Sequence, residues 1–181
     1  MCARLDSYLK SNNILCTNQF GFRKNSNTSD AIIEFLDNVY SLLDSKQSTN
    51  AVYLDFSKAF DTVNHNILMS KLLHNGVRGV MQHWFESYLT HRKQYVSMKN
   101  CNSSMSNITF GVPQGSVLDP VLFLLYINDM YRSSNQMRFV HFADDPTVFA
   151  SDSDINNVHA TVLIYCINTV AQGQQTFSQH Q

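Results

Sequence analysis

The sequence predicts an α+β fold, with a small antiparallel sheet backed by helices. Three features predict it: a long apolar stripe of helical period, short β-prone runs joined by turn residues, and further helical segments between those runs. Elements in this order build a sheet with helices packed on one face. A chain of 181 residues can form one domain with a proper core but not two large domains.

The first predicted helix runs from Asp30 to about Ser45 and is capped by Thr28 or Ser29. Its apolar positions recur at the 3.6-residue period and form one broad stripe. They are Ile32, Ile33, Phe35, Leu36, Val39, Tyr40, Leu42 and Leu43. The following run, Ala51 to Asp55, predicts a buried strand.

Two further helices follow this strand. The first is helical from Lys58 onward and stops at Asn75-Gly76, which predicts a left-handed C-terminal cap. The second fits Val80 to Leu89. The remaining predicted elements begin with a hairpin of Gln94 to Lys99 and Asn107 to Phe110. A helix follows, with Pro120 in its first turn and Val121 to Met130 as its body. After it come a second hairpin of Met137 to Ala143 and Thr147 to Ala150, a helix over Asn156 to Val170, and a disordered polar tail from Gly173 to Gln181.

The composition excludes several classes of protein. A formal net charge of −1 argues against a strong stand-alone nucleic-acid binder, because phosphate contacts need clustered Lys and Arg. The four cysteines contain no Cys-x-x-Cys pair, which predicts reduced thiols rather than a disulfide framework or a zinc site. No signal peptide is visible and the longest apolar run, Val121 to Ile127, is too short to span a membrane. We therefore expect an intracellular protein, in the nucleus or the cytoplasm.

Three acids form the strongest chemical pattern. Asp144 and Asp145 are adjacent between two apolar β-prone runs, where their like charges repel and no neighbouring cation offsets them. Asp55 ends another such run. If the two strands are neighbours, the three carboxylates converge as ligands for two Mg²⁺ ions, with Mn²⁺ as a possible substitute. The structural alternatives are a solvated turn for the pair and a strand-end cap for Asp55.

Four segments of the chain, taken in sequence order, form a recognisable set of motifs. They are Asn18 to Ile32, Leu54 to His65, Gly111 to Asp129 and Phe142 to Asp145. Together they resemble the reverse transcriptases of non-LTR (LINE-type) retrotransposons over about residues 3–170, and a match in several blocks is far more specific than any one motif.

The resemblance implies a polymerase palm with partial fingers and no thumb, in what we expect to be a truncated fragment. Residues 1–50 correspond to part of the fingers, 51–155 to the palm, and 156–181 to the start of the next palm segment with a disordered tail. Asp55 and Asp144 would bind both metal ions, helped by the Phe56 carbonyl. Asp145 would contribute less directly, because successive strand residues face opposite sides.

The resemblance also implies contacts with nucleotide and nucleic acid. Phe60 would lie under the incoming sugar and clash with a 2′-hydroxyl. Gln114 and Gly115 would lie near the nascent base pair, with Gly115 and Gly111 allowing a close approach of backbone. Each also fits a purely structural role: Phe60 could be a core residue, and the glycine segment could be an ordinary turn before a helix.

Arg23 and Lys24 match the fingers segment that contacts template or nucleotide phosphates, although two lone bases also fit a solvated surface pair. Asp61 is expected to have a structural role. Two residues depart from the family pattern: Asp119 stands where Gly is usual, and Pro146 where Thr is usual. Because proline lacks the N–H donor, Pro146 predicts weaker pairing of the second hairpin.

Two functions compete at this point. One is RNA-directed DNA polymerisation, with an RNA template, a DNA primer and deoxynucleoside triphosphates as partners and no membrane. The other is a non-catalytic remnant of a retroelement, too short to be active alone, with at most weak binding of nucleic acid or protein. An unrelated α+β binding domain is the third alternative. The sequence leaves the oligomeric state open.

Overall fold

The structure, a computed structural model, describes residues 1–99 and 101–178, with side chains in the last helix described as far as Ile167. The helices are α1 (Cys2–Ser11), α2 (Thr28–Asp44), α3 (His65–His74), α4 (Val80–Leu89), α5 (Asp119–Ile127) and α6 (Ile155–Ser178), with a 3₁₀ turn at Met130–Arg132. The strands are β1 (Ser48–Tyr53), β2 (Arg92–Gln94), β3 (Ser97–Met98), β4 (Cys101–Asn102), β5 (Ser106–Ile108), β6 (Arg138–Phe142) and β7 (Asp145–Asp152). The predicted α+β class is confirmed.

The chain divides into two compact units, each built from separate stretches of sequence. Unit 1 comprises Met1–Leu15 and Ser57–Asp129, and unit 2 comprises Cys16–Phe56 and the chain from Met130 onward. These units do not follow the contiguous division at residues 50 and 155, so the assignment of fingers and palm to those segments stays a prediction.

Unit 2 contains a three-stranded antiparallel sheet in the order β1-β7-β6. The central strand β7 pairs with β1 from Ser48↔Asp152 to Tyr53↔Thr147 and with β6 from Arg138↔Phe149 to Phe142↔Asp145. Because β7 is hydrogen-bonded on both edges, it brings the end of β1 and the β6–β7 turn to the same end of the sheet.

Helices cover both faces of this sheet, so the prediction of helices on one face is wrong. Phe139 and Val148 pack with Val158 and Val162 of α6. On the opposite face, Val140 and Phe149 pack with Ala31 and Leu42 of α2. Consecutive strand residues point to opposite faces, and the unbroken apolar run Val148-Phe149-Ala150 is the pattern of a strand buried on both sides.

Unit 1 is mainly helical. Its fully buried residues include Leu5 and Leu9 of α1, Leu68 and Leu72 of α3, Phe85 and Leu89 of α4, and Leu122, Phe123 and Leu125 of α5. Helix α1 was not predicted from the sequence. The single hairpin predicted after α4 is two short ladders, β2 with β5 and β3 with β4, and part of its predicted loop, Asn100, lies outside the described residues.

Several helix boundaries differ from the predictions for local reasons. Asn27, rather than Thr28 or Ser29, caps α2 through a reciprocal capping box with Asp30. Helix α3 begins at His65 instead of near Lys58, because the Asn64 side chain caps it by accepting from Asn66 N and Ile67 N. The predicted left-handed cap at Gly76 is confirmed by its φ of +88°.

The predicted apolar stripe of α2 is wider than the surface that the sheet covers. Ala31 and Leu42 are buried, whereas five members of the stripe are exposed: Ile32, Ile33, Leu36, Tyr40 and Leu43. At the other end of the chain, α6 continues to Ser178, so the tail expected to be disordered is helical from Gly173 to Ser178, and residues 179–181 lie outside the described part. Gln is a good helix former, which favours this extension.

Within residues 1–99 and 101–178, no helix has the length and hydropathy that a membrane span requires.

Candidate active site

The acid pair lies at the β6–β7 turn of unit 2. Phe142 pairs with Asp145, so Ala143 and Asp144 are the two central residues of a tight hairpin turn. Ala143 has a φ of +57°, a left-handed conformation at the position where hairpins of this length favour glycine. Asp144 is half-buried, while Asp145 begins β7 and is exposed. The sequence-predicted hairpin is therefore confirmed, with Asp144 in its turn and Asp145 as the first residue of its second strand.

Asp55 follows the end of β1, and Pro146 explains why that strand ends there. Leu54 lies opposite Pro146 and donates its N–H to the Pro146 carbonyl at 3.0 Å. In an antiparallel ladder such a pair would exchange two hydrogen bonds, but proline has no N–H to return. The ladder stops at Leu54, and Asp55 leaves the sheet beside the β6–β7 turn, Phe142–Asp145, which we call the acid turn.

Pro146 therefore weakens a different strand pair from the one predicted. On the β6 side Pro146 lies opposite His141, whose N–H and carbonyl bond outward, to the Asn18 carbonyl and the Phe20 N–H, each at 2.8 Å. This is a non-hydrogen-bonded position, where the missing donor costs nothing. The β6–β7 hairpin stays paired up to Phe142↔Asp145, and the prediction that Pro146 loosens it is wrong.

The three acids interact electrostatically. Partial desolvation raises the pKa of the Asp145 carboxyl above its ordinary value, and the charges of Asp144 and then Asp55 raise it further. The residues that the sequence singled out on two distant segments thus share one electrostatic neighbourhood within unit 2.

The donor set suits a hard divalent cation, because Mg²⁺ and Mn²⁺ take carboxylate and carbonyl oxygens. A cation would also offset the mutual repulsion of the carboxylates, which adds to the effect of desolvation in raising the pKa of Asp145. In the described part of the chain, however, no three His, Cys, Asp or Glu side chains are already arranged as a metal-binding group. The three carboxylates interact electrostatically, but they are not arranged as a complete set of metal ligands.

Gln19, which the sequence analysis did not select, contacts the acid turn directly. Its Oε1 accepts from Ala143 N at 3.0 Å and from Gly21 N at 2.8 Å, and its Nε2 donates to Ala143 O at 3.2 Å. The residue is buried with 6% exposure. The available signal was an Asn18-Gln19 amide pair in front of apolar Phe20 in the first family segment, which does not reveal the partner of Gln19.

Arg23 and Lys24 lie in the same segment of unit 2. Nη1 of Arg23 donates to the Cys16 carbonyl at 2.7 Å and to the Gln19 carbonyl at 3.3 Å, so this guanidinium helps to hold its own loop. Lys24 is exposed. Their contact with phosphates stays a prediction.

Unit 1 contains the other predicted nucleotide-binding residues. Phe60 is half-buried and packs against Phe123 with ring centroids 4.5 Å apart and the ring planes tilted by 31°, which also fits the core alternative. Gln114 donates from Nε2 to Asp61 Oδ1 at 3.0 Å, giving Asp61 the structural role expected of it. Gly115 has a φ of +83°, and a Cβ added to it would meet no atom within 4 Å outside its chain neighbours.

Gln114 also lines a cleft of about 470 Å³ in unit 1 together with two cationic side chains, Lys58 and Arg92. Gly111 makes a close contact within unit 1, and its predicted approach to nucleic acid stays a prediction. A Cβ there would lie 2.9 Å from Asp61 Cα, so its close approach is to protein backbone within the unit.

Asp119 is the first residue of α5, although a residue before proline disfavours helical geometry. Its N–H donates to Ser116 Oγ at 3.2 Å, and Ser116 Oγ lies 3.3 Å from Asp119 Oδ1. Burial raises the pKa of the Asp119 carboxyl. Asp119 therefore has a structural role at the start of α5 in unit 1.

Comparisons with known proteins agree with the sequence pattern. A family model described as "Reverse transcriptase (RNA-dependent DNA polymerase)" matches residues 1–179. The probable RNA-directed DNA polymerase from transposon BS of Drosophila melanogaster is 30% identical, covering 96% of this chain and 18% of the relative. The probable enzyme from transposon X-element of the same organism is 32% identical, covering 82% of this chain and 17% of the relative.

The chain thus spans less than a fifth of the length of these curated relatives. Among solved structures, telomerase from Candida tropicalis in complex with a fragment of telomeric RNA superposes with a TM-score of 0.58 at 13% identity, covering 88% of this chain and 29% of that one. At this identity the likeness concerns the fold alone. On the family match over nearly its whole length, this chain belongs to the reverse transcriptase family, as found in non-LTR retrotransposons.

Proposed function

We propose that this chain carries the nucleotidyl-transfer centre of an RNA-directed DNA polymerase. The observation that supports it best is the electrostatic coupling of Asp55, Asp144 and Asp145 at one end of the unit 2 sheet. Family membership alone does not identify the reacting residues. The electrostatic interaction identifies three carboxylates that lie on distant segments of the chain.

Asp55 and Asp144 hold divalent cations in this proposal, with the Phe56 carbonyl as a further ligand. Asp145, exposed at the start of β7, contributes mainly charge. Bound Mg²⁺ would activate the primer hydroxyl and neutralise charge on the triphosphate. The 3′-oxygen of the DNA primer attacks the α-phosphorus of a deoxynucleoside triphosphate while the bond to the leaving pyrophosphate breaks. The RNA strand selects the incoming base.

Other residues bind and orient the substrates. In unit 1, Phe60 excludes a ribose 2′-hydroxyl by steric contact, and its packing on Phe123 supports that role by fixing the ring. Gln114 and Gly115 offer an amide and accessible backbone to the nucleotide. In unit 2, Arg23 and Lys24 are the proposed phosphate contacts.

Primer extension on an RNA template with Mg²⁺ tests the proposal. Wild type should incorporate deoxynucleotides, and Asp144→Asn should lower the rate by about 10²-fold or more, the scale of losing a charge that acts on the transition state. Asp37→Asn is the matched control, because Asp37 is an exposed acid of α2 outside the acid turn. It should extend primers like wild type.

Extension that is undiminished in Asp144→Asn would refute these roles. A folded wild type that binds RNA or DNA without extending a primer would instead favour the alternative, a retroelement-derived domain that binds without turnover.

A further inference from the structure

We propose that Gln19 is a positioning residue that holds the Ala143–Asp144 turn and thereby sets the direction of the acid pair. This inference rests on the proposed function for its consequence, since the turn matters to catalysis only if the acids do. Gln19 itself touches neither substrate nor metal in the proposal and acts through the backbone of Ala143.

The contacts of the Gln19 side chain are specific to the turn. One amide group serves both polar groups of the Ala143 backbone, accepting from its N–H at 3.0 Å and donating to its carbonyl at 3.2 Å. This is the two-bond pattern by which a neighbouring strand residue would hold it. Gln19 and Ala143 are both buried, so the bonds are shielded from competing water.

Ala143 needs such support because its backbone is strained. A φ of +57° brings the Cβ of an L-residue close to its own carbonyl, a conformation that glycine adopts freely and alanine disfavours. Strained residues of this kind persist only where surrounding contacts determine their conformation. The next residue is Asp144, so any relaxation of Ala143 redirects its carboxylate.

The backbone around Gln19 is fixed against the same hairpin. The carbonyl of Asn18 accepts from His141 N, and Phe20 N donates to His141 O, each at 2.8 Å, forming a parallel bridge along β6. Gly21 then passes so near the turn that a Cβ added to it would lie 2.0 Å from Ala143 N. Only glycine fits there, which brings the segment within reach of the turn.

Three variants separate positioning from general stability. Gln19→Met keeps the length of the side chain and removes its hydrogen bonds to the turn. Asn18→Ala is the matched control, because it removes the bond from Asn18 Nδ2 to Phe139 O at 3.0 Å in the same segment without touching Ala143. Gly21→Ala pushes the segment away from the turn and serves if Gln19→Met fails to fold.

The first readout is amide hydrogen exchange in metal-free protein. We expect exchange at Ala143 to accelerate about tenfold or more in Gln19→Met, the scale of one lost buried hydrogen bond, and to stay unchanged in Asn18→Ala. The second readout is the dissociation constant for Mn²⁺ alone, measured by electron paramagnetic resonance. Gln19→Met should weaken it by about 10- to 100-fold, as found when a residue that orients a metal ligand is removed.

The two readouts distinguish two failures. If Gln19→Met exchanges Ala143 like wild type, or if Asn18→Ala loses as much Mn²⁺ affinity as Gln19→Met, the positioning role is wrong. If wild type binds Mn²⁺ no better than Asp144→Asn, the proposed metal site fails instead, and exchange at Ala143 still decides whether Gln19 holds the turn. Gly21→Ala should change both quantities in the same direction as Gln19→Met.

Discussion

The acid turn of unit 2 (Phe142–Asp145) and the glycine loop of unit 1 (Gly111–Gly115) both contain left-handed backbone, but they stabilise it differently. In the glycine loop the positive φ falls on Gly111 and Gly115, and neighbouring groups fix the chain: Gly111 N donates to Val63 O at 2.8 Å. In the acid turn it falls on Ala143, and a side-chain amide holds it.

The difference indicates where each region is vulnerable. Glycine adopts positive φ without strain, so the glycine loop keeps its shape through its backbone chemistry. The acid turn stores strain beside its carboxylates and depends on one distant side chain. A turn of this kind can present charged groups in a direction that an unstrained turn would not, at the cost of sensitivity to its supports.

The largest effect should come from Gly111→Ala. The substitution combines an unfavourable φ with a Cβ 2.9 Å from Asp61 Cα, and we expect it to lower the free energy of unfolding by roughly 2–5 kcal/mol. Gly115→Ala shares the φ of +83° but has open space, so it should cost only about 1–2 kcal/mol. Denaturant unfolding of both variants checks this, and equal losses would refute the role of the Asp61 contact.

The second effect is a pH dependence that belongs to the acid-turn region. Burial lowers the pKa of His141 from 6.5 to about 4, and within the described residues its Nδ1 has no hydrogen-bond partner. Between these two values the unfolded state binds more protons, so the stability contributed by neutral His141 is complete above pH 6.5 and is lost as pH falls towards 4. The full loss is about 3 kcal/mol.

His141→Phe should remove this dependence while keeping the ring stacked on Phe139. The raised pKa of Asp145 acts in the opposite direction, so the quantity to measure is the difference between the unfolding free energies of wild type and His141→Phe across pH 4–7. A difference that does not change with pH would contradict the assignment to His141.

The smallest effect concerns the end of β1. Pro146→Thr restores an N–H opposite the Leu54 carbonyl, a bond worth about 1 kcal/mol. Removing proline also frees the unfolded chain by roughly 0.4–1 kcal/mol, so the net change in stability should be below about 1 kcal/mol. The direct measurement is hydrogen exchange at the new amide, which should be protected. Pro146→Ala provides the control for the threonine side chain, and rapid exchange in both variants would refute the pairing.

Local patterns predicted much of the fold. Helix α4 is observed over its predicted range, α5 carries proline at its start as expected, and the left-handed cap at Gly76 is confirmed. These features depend on residues within a few positions of one another, so sequence shows them directly. Helix α1 was missed, although Leu5 and Leu9 lie one turn apart in it and are fully buried.

Contacts between distant segments could not be predicted in the same way. The missing donor of Pro146 was visible in the sequence, but whether its loss affects β6 or β1 depends on the register of the central strand. Likewise, the broad apolar stripe of α2 did not reveal that Ala31 and Leu42 would face the sheet and Tyr40 would face solvent.

The sequence by itself determined the family, the α+β class and the acids to be tested by mutation. Apolar periodicity, turn residues and motif order are properties of the sequence and can be read without coordinates. Tertiary structure alone decided that helices cover both faces of the sheet, that Asp55 approaches the acid pair, and that the Gln19 amide supports Ala143. The physical reason is that a hydrogen bond or a charge interaction acts over a few ångströms in space, whatever the separation in sequence.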